Sequence, residues 1–414
     1  MSSAKPVHSR MTLPSDSNST GRILGQEELE FLRQALESGT LNCTKGTLVS
    51  RFEESFAKRL GVASACAVTS GTAAIHSAVA AVNPNPGDEI ISSPITDMGA
   101  IAPILYQGAV PVFADVDPHT LLVTADTIAP RITRRTRAII LTHLFGNLCD
   151  MDSILELAAR HNLIVIEDCA QSFDAQFKGM PAGTLGHIGC FSLQQTKHIT
   201  TGEGGIVVSN DPHFNRRIRL FHDKAWGYGD PKPDHYFLAL NYRMTELQGG
   251  VGLAQLPKLE FSVRRRQQMA ELLTKKLTEL SGVILPKPTF GATHVYWKYS
   301  LIFEHDNVAE VAKFLREEYD IASAPRYIQK PAFMCEVLRD QRTFGRSHWP
   351  YDDVSRGQEP PVDYDPAHFP GTMKGLANIL VLPWNECYTE EHVNYIASAL
   401  HDVVAAVRSG AKHE

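Results

Sequence analysis

The chain has 414 residues, of which 43% are hydrophobic and 21% charged, and its formal net charge is −6. At roughly 150 residues per domain, this length indicates two or three domains with sizeable cores. The acidic balance and the lack of a basic stripe argue against nucleic acid as a partner. No apolar run approaches the ~18 residues that would indicate a membrane span. Seven scattered cysteines without a CxxC pair favour reduced thiols and a cytoplasmic protein.

The N-terminal region is polar and has no apolar signal core, so we predict a flexible leader over residues 1–22. Helical spacing of apolar residues then follows at 26–38 and 49–60. Short apolar runs come next, and they predict seven strands at 65–68, 89–92, 110–114, 137–142, 163–167, 189–193 and 205–209. Helical stretches at 72–82, 98–107 and 151–160 separate several of these runs. The alternation predicts an α/β domain with a mainly parallel seven-stranded sheet, covered on both faces.

The pattern changes after residue 209. Residues 243–281 are predicted to be largely helical, and an α+β region follows with strands at 295–303 and 379–382 and helices at 308–319 and 389–408. We therefore expect a large domain over 23–265 and a smaller C-terminal domain over 266–414. The stretch 340–372, which is rich in Pro, Gly, Asp and aromatic residues, is predicted to be a long loop.

The first chemical motif is Ser70-Gly71-Thr72, between a predicted strand and a predicted helix. A helix N-terminus offers free N–H groups and a positive dipole end, so it can bind phosphate. Gly71 would let the anion approach the backbone, and Thr72 would add a hydroxyl donor. Taken alone, the motif fits an ordinary helix cap without a ligand equally well or better.

The second motif, Glu167-Asp168-Cys169-Ala170-Gln171, lies at the carboxyl end of an apolar strand, where open α/β sheets bind ligands. A carboxylate at this place could keep a pyridine nitrogen protonated and so make the ring an electron sink. Gln171 could reach a hydroxyl group on the same ring. The alternative is that the acidic pair caps the next helix.

The third motif runs from Phe191 to Lys197, just beyond another buried strand. Desolvation would lower the pKa of a lysine here and free its amine as a nucleophile. Ser192 could donate to the same phosphate as the first motif. Most lysines are merely solvated, so Lys197 alone is weak evidence for a Schiff base, and the prediction depends on the neighbouring motif residues. The glycine-rich 201–205 stretch matches no phosphate-loop spacing and is interpreted as a tight turn.

In this order and spacing the motifs resemble the DegT/DnrJ/EryC1/StrS family of pyridoxal-phosphate-dependent sugar aminotransferases. The similarity is carried by FEESFAKRLGV, SGTAAI, PGDEIISSPIT, YQGAVPVFADVDP, EDCAQS, FSLQQTKHITTGEGG and NYRMTELQ. The resemblance implies the fold of aspartate aminotransferase (fold type I) and a homodimer with shared active sites. It also implies pyridoxal 5'-phosphate as the cofactor.

Carried over residue by residue, the resemblance implies that Lys197 is the Schiff-base lysine. Asp168 would pair with the pyridine nitrogen and Gln171 would contact the ring hydroxyl. The phosphate would be held by Gly71, Thr72 and Ser192. Asn241, in NYRMTELQ, would reach the phosphate in the neighbouring subunit's site.

Two departures from the family pattern stand out. Where the family has an aromatic residue that stacks on the cofactor ring, this chain has Asp97, so another group such as Met98 would have to stack. Leu240 replaces the usual glycine before NYR. Relatives that dehydrate sugars carry His at the lysine position, whereas here Lys197 is in register and His198 follows it, which favours transamination. His198 could be a catalytic base, but a structural role is preferred.

Other residues could lie at the site. His143 and Asn147 follow a strand and could line it, with packing as an equal alternative. Tyr327, like Arg326, Lys224 and residues of the 340–350 segment, could contact the substrate, although for any single one a solvated surface position is preferred.

The resemblance implies transfer of an amino group from glutamate or glutamine to a keto-sugar, with or without a linked nucleotide, or to a keto-cyclitol. A sugar dehydratase of the same family is the main alternative. A regulatory protein that keeps this fold without catalysis, and a Rossmann-type nucleotide enzyme, are the others. Because His222 and Asp223 lack partners at metal-ligand spacing, we predict no metal.

Overall fold

The computed structural model describes residues 10–357 and 361–410. Its strands are β1 Ser64–Val68, β2 Glu89–Ser92, β3 Val110–Phe113, β4 Thr136–Thr142, β5 Ile164–Asp168, β6 Gln176–Phe177, β7 Met180–Pro181, β8 Ile188–Ser192, β9 Gly205–Ser209, β10 Val283–Ile284, β11 Lys298–Phe303, β12 Ala324–Pro325 and β13 Ile379–Pro383. Its α-helices are α1 Gln26–Glu37, α2 Leu48–Leu60, α3 Gly71–Val82, α4 Ala102–Tyr106, α5 Ala125–Ile128, α6 Met151–Arg160, α7 Pro212–Phe221, α8 Glu246–Gln255, α9 Leu259–Lys276, α10 Val308–Tyr319, α11 Glu336–Arg339, α12 Pro370–Asn378 and α13 Glu390–Arg408.

The seven predicted strands form one sheet in the order β1-β9-β8-β5-β4-β2-β3. Strands β3, β2, β4, β5 and β8 pair in parallel, and β9 runs antiparallel to both β8 and β1. The predicted mainly parallel, seven-stranded sheet is therefore confirmed. The predicted helix at 98–107 is instead a 3₁₀ turn, Met98–Ala100, followed by the short α4. The Asp97 side chain caps the turn by accepting from Gly99 N–H at 2.7 Å, and Pro103 lies in the first turn of α4.

Burial on both faces explains why these strands read as continuous apolar runs. In β4, Ile139 and Leu141 belong to the core under α2 and α6, while Ala138 and Ile140 belong to the core under α3 and α7. Successive side chains of a strand point to opposite faces, so each strand needs apolar residues at every position. The sheet is thus the rigid layer from which the site residues project.

A second, antiparallel sheet has the order β10-β11-β13-β12 and shares a core with α9, α10 and α13. The domain boundary that we predicted at 265/266 falls inside α9, whose first turns pack in the large core through Leu259 and Val263. Further along the same helix, Met269 and Leu273 pack in the second core. One helix thus links the two cores, and the division into 23–265 and 266–414 stays a proposal. Among the described residues no helix is both long and apolar enough to cross a membrane.

The flexible leader predicted over residues 1–22 stays a prediction, and its residues 1–9 lie outside the described part of the chain. Residues 10–22 pack against the rest of the protein. Leu13 packs against the second core, and the Asp16 and Arg22 residues are only 7% exposed each. Polar composition predicted flexibility here, but this segment is held by buried charge pairs rather than by an apolar stripe. Such pairs leave no periodic signal in the sequence.

The predicted long loop at 340–372 contains short helical turns and packs against strand β3, at the edge of the large sheet. Phe113 of β3 lies in a small apolar cluster with Phe333 and Phe369. The Tyr364 hydroxyl donates to the carbonyl oxygen of Pro111 at 2.6 Å. Arg356, which is 6% exposed, donates to Gly87 O at 3.0 Å. This part of the smaller C-terminal region is therefore built onto the large sheet.

Candidate active site

A cavity of about 420 Å³ opens where β1, β5 and β8 end, a size typical of small-molecule sites. Ligands of open α/β sheets bind at this edge, in the crevice outside the carboxyl ends of the strands. The cavity is lined by Ser70, Gly71, Thr72, Ile75, Asp97, Gly99, Ala100, Asp168, Ala170, Gln171, Ser192, Gln194, Thr196, Lys197, Glu203, Trp297 and Tyr327. Six of the seven residues predicted to bind the cofactor are among them.

The N-terminus of α3 forms one wall of the cavity. The Ser70 side chain accepts from Ala73 N–H at 3.0 Å, while the N–H groups of Gly71 and Thr72 have no partner among the described residues. Within a helix the first N–H groups stay free for a ligand. A Cβ added at Gly71 would lie 2.7 Å from the Ser192 Cβ, so only glycine leaves room between the helix and that hydroxyl. The geometry is that of an anion cradle.

Asp168 ends β5 and is 9% exposed. One carboxylate oxygen accepts from Ala170 N–H at 3.1 Å, which leaves the other without a hydrogen-bond partner in the described chain. Burial raises the pKa of Asp168, and the nearby Lys197 opposes that rise. Gln171 is fixed because its side-chain oxygen accepts from Phe145 N–H at 2.7 Å. A buried carboxylate with a free oxygen can accept a charged N–H donor.

Lys197 projects into the cavity from the loop after β8, and its Nζ lies 4.2 Å from the centroid of the Trp297 ring. Burial lowers the pKa of Lys197 to about 8, whereas Asp168 and Asp97 act in the opposite direction. A larger fraction of this amine is therefore neutral at pH 7 than for a solvated lysine. Trp297 itself is held by a hydrogen bond from Nε1 to Thr196 O at 2.8 Å.

Trp297 was not predicted from the sequence, because 100 residues separate it from the lysine and it belongs to no motif. Tyr327, one of several residues considered for substrate contact, does line the cavity, and its hydroxyl lies 3.4 Å from Gln171 Nε2. Asp97 also lines it. Met98, considered as a stacking residue, instead packs against the cluster that covers β3.

Three predicted residues lie elsewhere. Asn241 is exposed outside the cavity of its own chain, and its side-chain oxygen accepts from Arg243 N–H at 3.2 Å. His198 is 1% exposed, pairs through Nε2 with Val295 O at 3.1 Å and does not line the cavity, which supports a structural role. His143, considered for the site, is fully buried next to Glu167 at 3.0 Å.

His143, Glu167 and Cys169 bring their potential ligand atoms within 4.8 Å of one another. Three backbone N–H groups already donate to the Glu167 carboxylate, at 2.7 to 2.9 Å. His143 Nδ1 accepts from Cys149 N–H at 3.2 Å, so Nε2 carries the proton that is given to Glu167. The His143 ring and the Glu167 carboxylate therefore have hydrogen-bond partners without an ion. The absence of a metal stays a prediction.

Residues 22–354 match the sequence pattern of the DegT/DnrJ/EryC1/StrS aminotransferase family. GDP-perosamine synthase of Caulobacter vibrioides is 36% identical over 292 residues, 70% of this chain and 77% of that protein. The L-glutamine:2-deoxy-scyllo-inosose aminotransferase of Streptomyces lividus is 31% identical over 353 residues, 80% of this chain and 83% of that protein.

Among solved structures, an aminotransferase from Psychrobacter cryohalolentis superposes with a TM-score of 0.81 and 27% identity, covering 94% of this chain and 99% of that one. The predicted fold and the predicted enzyme class, a pyridoxal-phosphate-dependent aminotransferase, are confirmed by these matches. The chain belongs to the DegT/DnrJ/EryC1/StrS aminotransferase family.

Proposed function

We propose that the protein transfers an amino group from glutamate or glutamine to a keto-sugar, with or without a linked nucleotide, or to a keto-cyclitol. The observation that carries the proposal is the placement of a poised lysine amine, a buried carboxylate and a free helix N-terminus around one cavity. The names of the two relatives add support, since one specifies a nucleotide-linked amino sugar and the other a cyclitol ketone with glutamine.

The residues of the cavity fit pyridoxal 5'-phosphate. The phosphate would be held by the free N–H groups of Gly71 and Thr72, by the Thr72 hydroxyl and by Ser192, in the space that a Cβ at position 71 would fill. Asp168 would pair with the ring nitrogen and Gln171 with the ring hydroxyl. Lys197 would hold the cofactor covalently through Nζ. When bound, the cofactor supplies a ring that can store an electron pair.

Lys197 is also the group that would move the proton in the reaction. With a pKa lowered to about 8, its Nζ can release a proton and take one back near neutral pH. The Trp297 ring beside Nζ excludes water from one side of the amine. Asp168 is a buried carboxylate, so it favours the charged form of a cationic partner. Neutralising that partner would leave the negative charge of Asp168 buried and unpaired.

We further propose a cytoplasmic homodimer in which each chain completes the other's site. Asn241 supports this arrangement because it is exposed and does not line the cavity of its own chain, although the resemblance places it at the phosphate. A mixture of Lys197→Ala and Asn241→Ala chains tests it. Re-assortment of the two inactive variants should form one intact site per mixed dimer and restore part of the activity. Continued inactivity in a proven mixed dimer, or a monomer in sedimentation analysis, would contradict the sharing of sites.

The central experiment is a donor and acceptor screen on protein loaded with pyridoxal phosphate, read by mass spectrometry of the products. We expect amine formation only when glutamate or glutamine is present. Lys197→Ala should abolish turnover, whereas Lys178→Ala, at an exposed lysine paired with Asp152, should leave it unchanged. Turnover by Lys197→Ala would refute the assignment of the lysine. A deoxygenated product that forms without any amino donor would indicate the dehydratase instead.

A further inference from the structure

The N-terminal segment, residues 10–22, reaches the back of the loop that carries Lys197. Arg22 Nη1 donates to the carbonyl oxygen of Lys197 at 2.8 Å, and Arg22 Nε donates to Asp16 O at 3.1 Å. The Gln195 side chain donates to the same Asp16 carbonyl at 3.0 Å. The lysine loop is therefore bonded to this segment both through its backbone and through a side chain.

A buried group of charges fixes the segment in place. The Asp16 carboxylate lies 3.2 Å from Arg22 Nη2, 3.2 Å from Arg266 Nη2 and 3.7 Å from Lys298 Nζ. Glu386 balances these cations, with its carboxylate 2.6 Å from Arg266 Nη2. Buried ion pairs of this kind are weak evidence for net stability, but loss of one partner is costly because an unpaired charge remains. The segment is thus held in one position.

The same charges reach the other side of the lysine loop. Arg266 Nη1 donates to Trp297 O at 3.2 Å, and Trp297 in turn donates to Thr196 O and faces the Lys197 amine. The loop is consequently held between Arg22 on one side and Trp297 on the other. Arg266 contacts both the Asp16 carboxylate and the Trp297 backbone, so the two anchors are joined.

We propose that Asp16 and Arg22 are positioning residues of the active site, which hold the backbone of the Lys197 loop so that the amine stays in the cavity beside Trp297. The proposal rests on the proposed function of Lys197. It assigns a catalytic contribution to a segment whose composition is that of a disordered leader. Displacements of about 1 Å at a reacting group can cost roughly 100-fold in rate, so even a small relaxation of this loop would be measurable.

Arg22→Gln tests the proposal, with Arg10→Gln as the matched control. Arg10 belongs to the same segment, but it is exposed and donates to Glu317 O on α10 rather than to the lysine loop. We expect Arg22→Gln to lower kcat by about 10- to 100-fold with a much smaller change in KM for the amino donor. Arg22→Lys, which keeps the charge but not the forked donor geometry, should recover only part of the loss.

A second measurement uses the cofactor-free protein. The rate at which an acylating reagent modifies Lys197 is followed by peptide mass spectrometry against pH, with the exposed Lys178 as an internal reference. In Arg22→Gln we expect the midpoint of Lys197 labelling to move upwards from about 8, because a loosened loop exposes the amine to water and so reduces the effect of burial. A role in folding alone would lower the melting temperature without moving this midpoint.

If Arg22→Gln does not fold, Gln195→Leu removes one bond between the loop and Asp16 without disturbing the charges, and the same two measurements apply. The proposal is overturned if a folded Arg22→Gln, or Gln195→Leu in its place, matches Arg10→Gln in kcat and in the labelling midpoint. Failure of the proposed function is distinguishable, since the unsubstituted protein would then form no amine with either glutamate or glutamine.

Discussion

Replacement of Lys298 by Met should raise the pKa of Lys197 from about 8 towards its ordinary value of 10.5. The two ammonium groups approach one indole ring, with Lys197 Nζ 4.2 Å and Lys298 Nζ 4.9 Å from the Trp297 centroid. The two nitrogen atoms are therefore at most about 9 Å apart. The positive charge of Lys298 lowers the pKa of Lys197, in addition to the larger effect of burial.

The magnitude follows from Coulomb's law. At ~9 Å and an effective dielectric constant near 20, two like charges repel by roughly 2 kcal/mol. Asp16, whose carboxylate lies 3.7 Å from Lys298 Nζ, offsets part of this repulsion. We therefore expect the proton affinity of Lys197 to rise by about tenfold, which corresponds to about 1.4 kcal/mol. Asp16 keeps Arg22 and Arg266 as partners, so the variant should still fold.

The assay is the pH dependence of Lys197 acylation in the cofactor-free protein, read peptide by peptide. Lys313→Met serves as the control because it removes the same charge from an exposed site on α10, where the side chain is 60% exposed. An unchanged or lower midpoint in Lys298→Met would refute the electrostatic reasoning. Equal shifts in both variants would attribute the effect to net charge rather than to the shared indole ring.

Three further predictions concern the cavity. Asp168→Asn should keep the cofactor through gel filtration but lower kcat by about 100-fold or more, because a neutral amide cannot keep a ring nitrogen charged; full activity would count against the assigned role. Gly71→Ala should weaken pyridoxal phosphate binding by about 1–3 kcal/mol in a spectroscopic titration, since the new Cβ meets Ser192 Cβ at 2.7 Å, and unchanged affinity would contradict the close approach. Lys197→Met should stabilise the cofactor-free protein at pH 7 by up to about 3 kcal/mol, because the lysine is then protonated in both states and its buried charge opposes folding. In urea unfolding this gain should shrink as the pH rises from about 8 to 10.5, and a gain that grew with pH would contradict the sign.

Much of the fold could be predicted because burial leaves a local signal. Strands β2 and β9 begin and end where their apolar runs do, and the other five strands of the large sheet deviate by one residue at one or both ends. The motif residues meet in one cavity because they follow β1, β5 and β8, whose carboxyl ends lie at the same edge of the sheet. Their roles towards the cofactor remain proposals, although their proximity is a property of the structure.

The rest of the site could not be predicted, for physical reasons. Trp297 comes directly before β11 of the antiparallel sheet, and nothing in a local window relates it to the lysine loop. Asp16 and Arg22 lie in a polar stretch, where a charge paired inside the protein cannot be distinguished from one solvated by water. The change from one core to the other along α9 could not be predicted either. The apolar residues of α9 keep one helical periodicity, although those of its first turns pack in the large core and later ones pack in the second core.

The cover over β3 has a consequence for the solubility of the protein. Pro111 gives this outermost strand a position without an N–H donor, and its carbonyl oxygen is occupied by the Tyr364 hydroxyl. An uncovered strand edge is a template for pairing with other chains and for aggregation. Variants that weaken the packing of Phe333, Tyr364 or Phe369 over β3 should therefore aggregate more. Their first effect should be a lower yield of soluble protein, even where every residue of the catalytic cavity is intact.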